Sequence, residues 1–197
     1  MDFISWLDDH IVSGKRKEGV FRNDVHLEDE NDNVKIWVKG VGRAVVGIPD
    51  EMGQWRILKE GGWYKTCDFI LFGEHPRHGS YVFLVEFKAT PEDMEELRPE
   101  KKDGGRMELR WNISIFHYLF SVFKTDEYNQ ELDHKFTVRR FLIGNEYSRM
   151  LGARFNKEGV KGRVFDYEKY NGVWINFLAT VGTTFPVSVR DMITKSK

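Results

Sequence analysis

A single cysteine, Cys67, stands among the 197 residues. One thiol closes no disulfide within the chain, and a zinc site built on several thiolates is excluded. That economy fits a reducing compartment. Nor does any stretch approach the roughly 18 apolar residues a membrane helix requires. The opening "MDFISWLDDH" lacks the basic start and continuous apolar run of a secretory signal, because Asp2, Asp8 and Asp9 interrupt it. A soluble, cytoplasmic protein with no membrane attachment is the expectation. Charge of one sign is also missing: Lys plus Arg number 30 and Asp plus Glu 31. Any nucleic-acid surface would therefore be a local patch. "GVGRAVVG" (40–47) matches neither a Walker A loop nor GxGxxG, and no nucleophile elbow supports Ser–His–Asp chemistry. Internal repeats, low-complexity tracts and linkers are absent as well.

What remains is 41% hydrophobic and 14% aromatic, enough for one sizeable core. A single domain spanning 1–197 is expected. Phe3, Ile4, Leu7 and Ile11 recur at helical spacing and predict a short helix ending near Gly14. "HLEDENDN" (26–33) reads as an acidic loop. "VKIWVKG" (34–40) alternates apolar and charged residues and predicts a half-exposed strand, with "RAVVGIP" (43–49) pairing to it across Gly40–Gly42. Residues 55–72 read as strand, turn at 60–62 and strand, and 81–89 as the next strand. Thr90, Pro91 and the acids after them are a helix-start signature over 91–97. "RMELRWNISIFHYLFSVFK" (106–124) predicts a mostly buried helix, 135–144 a strand, 146–155 a short helix, 172–182 a strand and 188–193 a terminal turn. This order defines an α/β or α+β domain with a mixed sheet. The six tryptophans are scattered and read as core.

Within "KTCDFILFGEHPRHGSYVFLVEFKA" (65–89), two apolar strands carry three charges: Asp68, Glu86 and Lys88. Residues two apart share a strand face. A register opposing Asp68 to Glu86 places residue 73 opposite 81, leaves 74–80 as the loop and gathers all three charges at one end of the hairpin. A one-residue slip would send Asp68 to the other face. Two adjacent carboxylates repel and resist burial. Lys88 offsets one charge, and a divalent metal would offset two more. Mg²⁺ favours such hard oxygen ligands, completed by waters and phosphate oxygens. The bland alternative is an ion pair at a sheet edge, Lys88 with Glu86 or Asp68.

The pattern Asp–x17–Glu–x–Lys, read in "CDF" and "VEFK" across strand, turn and strand, resembles the PD-(D/E)xK nuclease superfamily over about residues 55–125. The resemblance implies a restriction-endonuclease-like fold, a mixed β-sheet core flanked by helices, and Mg²⁺-dependent phosphodiester hydrolysis with Mn²⁺ as a substitute. Carried over residue by residue, it makes Asp68 and Glu86 the metal ligands, the Phe87 backbone carbonyl a third, and Lys88 the catalytic lysine. It implies a metal-dependent endonuclease, with DNA favoured over RNA as partner, acting in restriction, defence, mobile-element or repair chemistry. A homodimer or a partner subunit would supply specificity at this size. The alternative is an inactive module of the same fold that binds nucleic acid or protein. Cys67 takes the place of the motif's proline. Many members add a glutamate from an N-terminal helix, for which Glu18, Glu51 and Glu60 are the candidates here. The following helix has Tyr118 without the Gln of some exonuclease branches, which points away from those branches.

Elsewhere, His75 and His78 lie in "EHPRH", a solvated turn with DNA contact as its functional reading. Arg106, Arg110 and His117 are candidates for one helix face that touches phosphate, with ion pairing to nearby acids as the alternative. Arg139 and Arg140 fall on opposite faces of their strand. "KRK" (15–17) and "KEGVKGR" (157–163) are basic turns suited to backbone contacts. Cys67 is expected on the face opposite Asp68, in a buried apolar role.

Overall fold

The computed structural model describes residues 1–11, 17, 19–29, 34–49, 66–88, 106–126, 135–145, 164–180 and 185–197. Helix α1 (Phe3–His10) starts because Asp2, in extended conformation, accepts the Ser5 N–H on its side chain at 2.9 Å, meeting one of the donors a helix start leaves without a partner. It stops at Ile11, whose N–H still reaches Leu7 O at 3.0 Å. Phe3, Ile4, Trp6 and Leu7 form its buried face. The helix is thus shorter than an end at Gly14, a residue outside the described set.

Two sheets follow. The smaller joins β1 (Asp24–Asp29), β2 (Val34–Lys39) and β9 (Phe185–Ser188) in the order β1-β2-β9. Its alternation is clean: Val25, Leu27, Ile36, Val38 and Val187 are buried, while His26 is exposed and Trp37 half-buried on the other face. The larger joins β3 (Arg43–Gly47), β4 (Phe69–His75), β5 (Gly79–Lys88), β6 (Phe136–Asn145), β7 (Val164–Tyr170) and β8 (Val173–Thr180) in the order β3-β4-β5-β6-β8-β7. β3, β4 and β5 form an antiparallel meander, β6 runs parallel to both β5 and β8, and β7 closes the order antiparallel to β8. Helices α2 (Arg106–Trp111) and α3 (Ile113–Asp126) lie between β5 and β6 in the chain, where a parallel connection demands a crossover. A last helix, α4 (Val189–Thr194), is capped by Ser188.

The large sheet is buried on both faces. On one, Ile70, Phe72, Val82, Leu84, Leu142, Ile175 and Phe177 pack with α1, Leu109 of α2 and Phe116 and Phe123 of α3. On the other, Leu71, Tyr81, Phe83, Val85, Phe87, Phe141 and Ile143 pack against the small sheet and α4. Double coverage explains why β4 and β5 read as near-continuous apolar runs. The fold is therefore mixed α/β with two sheets and helices, as the element order predicts.

Three local expectations change. Val41 enters the buried face, and the positive φ of Gly40 and Gly42 turns the chain between layers, so β3 pairs with β4 and not with β2. The single helix over 106–124 is broken at Asn112. Residues 24–29 and 164–170, read as loop or left without assignment, are strands. The elements expected at 55–62, 91–97 and 146–155 lie outside the described residues. No helix among those described is long and apolar enough to cross a membrane.

Candidate metal and catalytic site

The β4–β5 register runs from Phe69 opposite Val85, through Gly73 opposite Tyr81, to His75 opposite Gly79. This is the alignment that sets Asp68, one residue before β4, across from Glu86. The turn is tighter than expected: Glu74 and Ser80 still pair, so only residues 76–78 lie between the strands.

Asp68 sits at a bend where the β4 ladder stops. Its Oδ2 accepts the Phe87 N–H at 2.6 Å, so a carboxylate replaces the main-chain acceptor that the next residue of a strand would have supplied. Its side chain is thereby held against the stretch of β5 between Glu86 and Lys88. In an extended strand one residue's N–H and C=O aim at the same flank. The Phe87 carbonyl therefore lies on the flank that carries Asp68, while the Phe87 ring is buried in the opposite layer with Phe69.

Glu86 and Lys88 project toward the helix-covered face. Glu86 is buried, with its side chain 5% exposed, and its Oε1 accepts from Lys88 Nζ at 2.6 Å. The Lys88 side chain, 20% exposed, spans from that buried carboxylate to the surface. Leu142 and Gly144 of β6 stand beside Glu86 and Lys88.

Cys67 is fully buried and packs in the cluster of Ile70 and Phe72. Its buried apolar role is as expected, and its place is in the helix-side core. Burial first, then the charges of Glu86 and Asp68, push its thiol well above the ordinary range. The thiol stays protonated and serves as core, donating weakly to Phe69 O at 3.4 Å.

The donor chemistry fits a hard divalent cation: two carboxylates and a carbonyl on neighbouring strand ends. No group of three or more His, Cys, Asp or Glu side chains converges on a metal site among the described residues. The set therefore depends on the Phe87 carbonyl and on oxygens from water or substrate. Glu18, Glu51 and Glu60, the candidate additional acids, lie outside the described residues.

The remaining candidates separate. Arg106 is buried, pairs through Nε with Glu168 Oε1 and lies over the Phe177 ring at 5.4 Å. His117 is exposed and Arg110 half-buried, so Arg106 does not share an open face with them; it is ion-paired, but with a distant acid and not with the nearby acids expected. Its partner comes from β7, a stretch whose polar sequence gave no strand signal. Arg139 and Arg140 do take opposite faces: Arg139 Nε donates to Ser196 Oγ at 2.8 Å, and Arg140 Nε to Leu109 O at 3.1 Å. His75 and His78 sit 4.6 Å apart between ring centroids at the tip of the hairpin, the end opposite Glu86. His75 Nδ1 accepts the Arg77 N–H at 3.1 Å. Burial, then the charges of His78 and Arg77, hold the ring below the usual imidazole range. With Nδ1 accepting, the neutral ring carries its proton on Nε2.

Against known proteins, no family model matches the chain, and neither a curated protein nor a solved structure is similar to it.

Proposed function

We propose that the chain is a Mg²⁺-dependent nuclease of the PD-(D/E)xK type with a restriction-endonuclease-like core, acting on DNA in preference to RNA. The observation that carries this reading is the Asp68–Phe87 hydrogen bond: it pins one carboxylate beside the strand segment that bears the other carboxylate and the lysine. The antiparallel β3–β4–β5 meander followed by a helical crossover to parallel β6 supports it at the level of the fold.

Asp68, Glu86 and the Phe87 carbonyl would hold the cation. When bound, Mg²⁺ or Mn²⁺ polarises a phosphoryl oxygen and lowers the pKa of a coordinated water. Lys88 reaches from the buried Glu86 toward solvent, where its ammonium stabilises negative charge developing on a phosphate oxygen or orients the attacking water. Glu86 holds that ammonium in place. Pre-aligned charge of this kind acts without reorganisation at the moment of reaction.

The test is incubation of the protein with supercoiled, linear and single-stranded DNA and with RNA, in Mn²⁺, Mg²⁺ or EDTA. The expected result is cation-dependent cleavage that falls roughly a hundredfold or more in Lys88→Ala and in Asp68→Asn. No cleavage of any substrate in either cation would overturn the reading.

A second reading draws on the same ion pair. Lys88 neutralises Glu86 without any metal, as it would in an inactive module that binds nucleic acid or protein. Binding undiminished in EDTA and indifferent to both substitutions would select it.

A further inference from the structure

Hairpin β7–β8 turns through Asn171 and Gly172, both with positive φ, the type I′ geometry that matches strand twist. Just beyond this stiff turn, Tyr167 and Trp174 meet edge to face, their centroids 5.5 Å apart and their planes at 86°. Tyr167 is 43% and Trp174 39% exposed, and these two account for half of the four large apolar side chains most exposed among the described residues. Lys169, directly opposite Trp174 in the register, places its ammonium 5.9 Å from the Trp174 centroid. Lys197 Nζ lies 5.5 Å from the Tyr167 centroid. The backbone of Lys197 is fixed through both its N–H and its oxygen by Asn176, which stands opposite Tyr167: Lys197 N donates to Asn176 Oδ1 at 2.8 Å, and Asn176 Nδ2 donates to Lys197 O at 3.1 Å.

The core does not need these rings at the surface. Neighbouring Ile175 and Phe177 fill the helix-side core, whereas Tyr167, Lys169, Trp174 and Asn176 share the other face, at the edge of the sheet. The two acids of the same hairpin, Asp166 and Glu168, stand opposite Phe177 and Ile175 in the register, and Glu168 is engaged by Arg106. Two aromatic rings flanked by two ammonium groups form a surface complementary to a polyanion whose units stack. Base on aromatic ring is sequence-tolerant, and lysines meet the phosphates. An acidic peptide would match the charge but not the two rings.

We propose that the Tyr167–Trp174 pair, with Lys169 and Lys197, is an accessory docking site for single-stranded nucleic acid. It lies on the sheet face opposite Glu86 and two to three strands away, so it captures a strand without entering the acid site. The inference rests on the nucleic-acid part of the proposed function and not on cleavage.

The test is fluorescence anisotropy of a labelled oligothymidylate with the full chain in EDTA, where no cleavage occurs. Trp174→Ala is expected to weaken binding about tenfold or more, the scale of one lost base stack. Trp174→Phe should retain most of the affinity, and Lys169→Gln should lower the slope of log affinity against log salt by roughly one unit. The proposal is overturned if the oligomer does not bind, if Trp174→Ala binds unchanged, or if a polyglutamate peptide competes as well as the oligomer. Thermal unfolding of each variant separates lost docking from lost fold. Cleavage by the parent protein, assayed separately, decides the nuclease reading whatever the anisotropy gives.

Discussion

Asp2 illustrates how much one side chain at the surface can organise. Its Oδ1 caps α1 through Ser5 N, and its Oδ2 meets Ser5 Oγ at 3.0 Å and Arg43 Nη1 at 3.2 Å. Partial burial pushes its carboxyl up, but the Ser5 N–H, the Arg43 guanidinium and the Ser5 hydroxyl outweigh that and leave it below the usual aspartate value. A carboxylate depressed in the folded state contributes stability above its unfolded pKa and loses it as pH falls through the folded one. Asp2→Ala should cost about 1 kcal/mol near neutrality, the worth of an N-cap, and the deficit should shrink below the ordinary aspartate range. Urea denaturation at pH 7 and pH 3 measures both, and a deficit that does not change between them would discard the charge part of the account. Cys67 gives a second outcome at this scale. Its thiol is buried and raised by the carboxylates beside it, so a thiol reagent at pH 8 should label the unfolded chain promptly and the native one only at the rate of opening.

The β4–β5 hairpin owes its register to contacts inside the pairing as much as to its turn. Gly73 stands opposite Tyr81, and a Cβ at Gly73 would overlap the Tyr81 ring. That ring is fully buried, and its hydroxyl donates to Val41 O at 2.8 Å, tying β5 to the loop between the two sheets. Gly73→Ala should therefore cost about 1–3 kcal/mol through overpacking, and Tyr81→Phe about 1–3 kcal/mol through the stranded Val41 carbonyl. Because the first change displaces the ring that makes the second contact, the double variant should be less destabilised than the sum. Strict additivity in chemical denaturation would refute the coupling. The alignment of Asp68 with Glu86 was legible because three charges stand out in two otherwise apolar strands, and only one register gathers them at one end of the hairpin. Other elements were not. β1 and β7 are half polar, with DVHLED and VFDYEKY as their sequences, since one flank or face of each meets solvent. β9 has only four residues, too short for periodicity to speak. Gly40 and Gly42 look like hairpin residues, yet their positive φ redirects the chain between layers. At Gly42 a Cβ would strike the Glu74 carbonyl, a packing need that no local pattern reveals.

At the scale of the molecule, strand order is the information that sequence withholds: nothing local says that β6 inserts between β5 and β8, or that β9 returns to lie parallel to β2. That order nonetheless decides the candidate site. It buries Glu86 beneath the helix layer, places Gly144 beside Lys88 and turns Arg106, a phosphate candidate from its spacing, into the buried partner of Glu168. The juxtaposition of Asp68 and Glu86 was readable because charge in an apolar strand is conspicuous, whereas Arg106 misled because its partner comes from 62 residues away. The same placement yields a test of cation binding that is independent of any substrate. A cation held by Asp68 and Glu86 in the folded chain alone must stabilise it by mass action, roughly 2.7 kcal/mol when the free ion is at a hundred times its dissociation constant. Mn²⁺ titrated into the parent protein should raise the unfolding midpoint progressively, and EDTA should restore it. Asp68→Asn should abolish the increment by removing a ligand charge, while Lys88→Ala should preserve or enlarge it, because the ammonium competes with the cation for Glu86 Oε1. A parent midpoint indifferent to Mn²⁺, or an increment untouched in Asp68→Asn, would mean that lysine alone answers the buried glutamate and that these strand ends hold no metal.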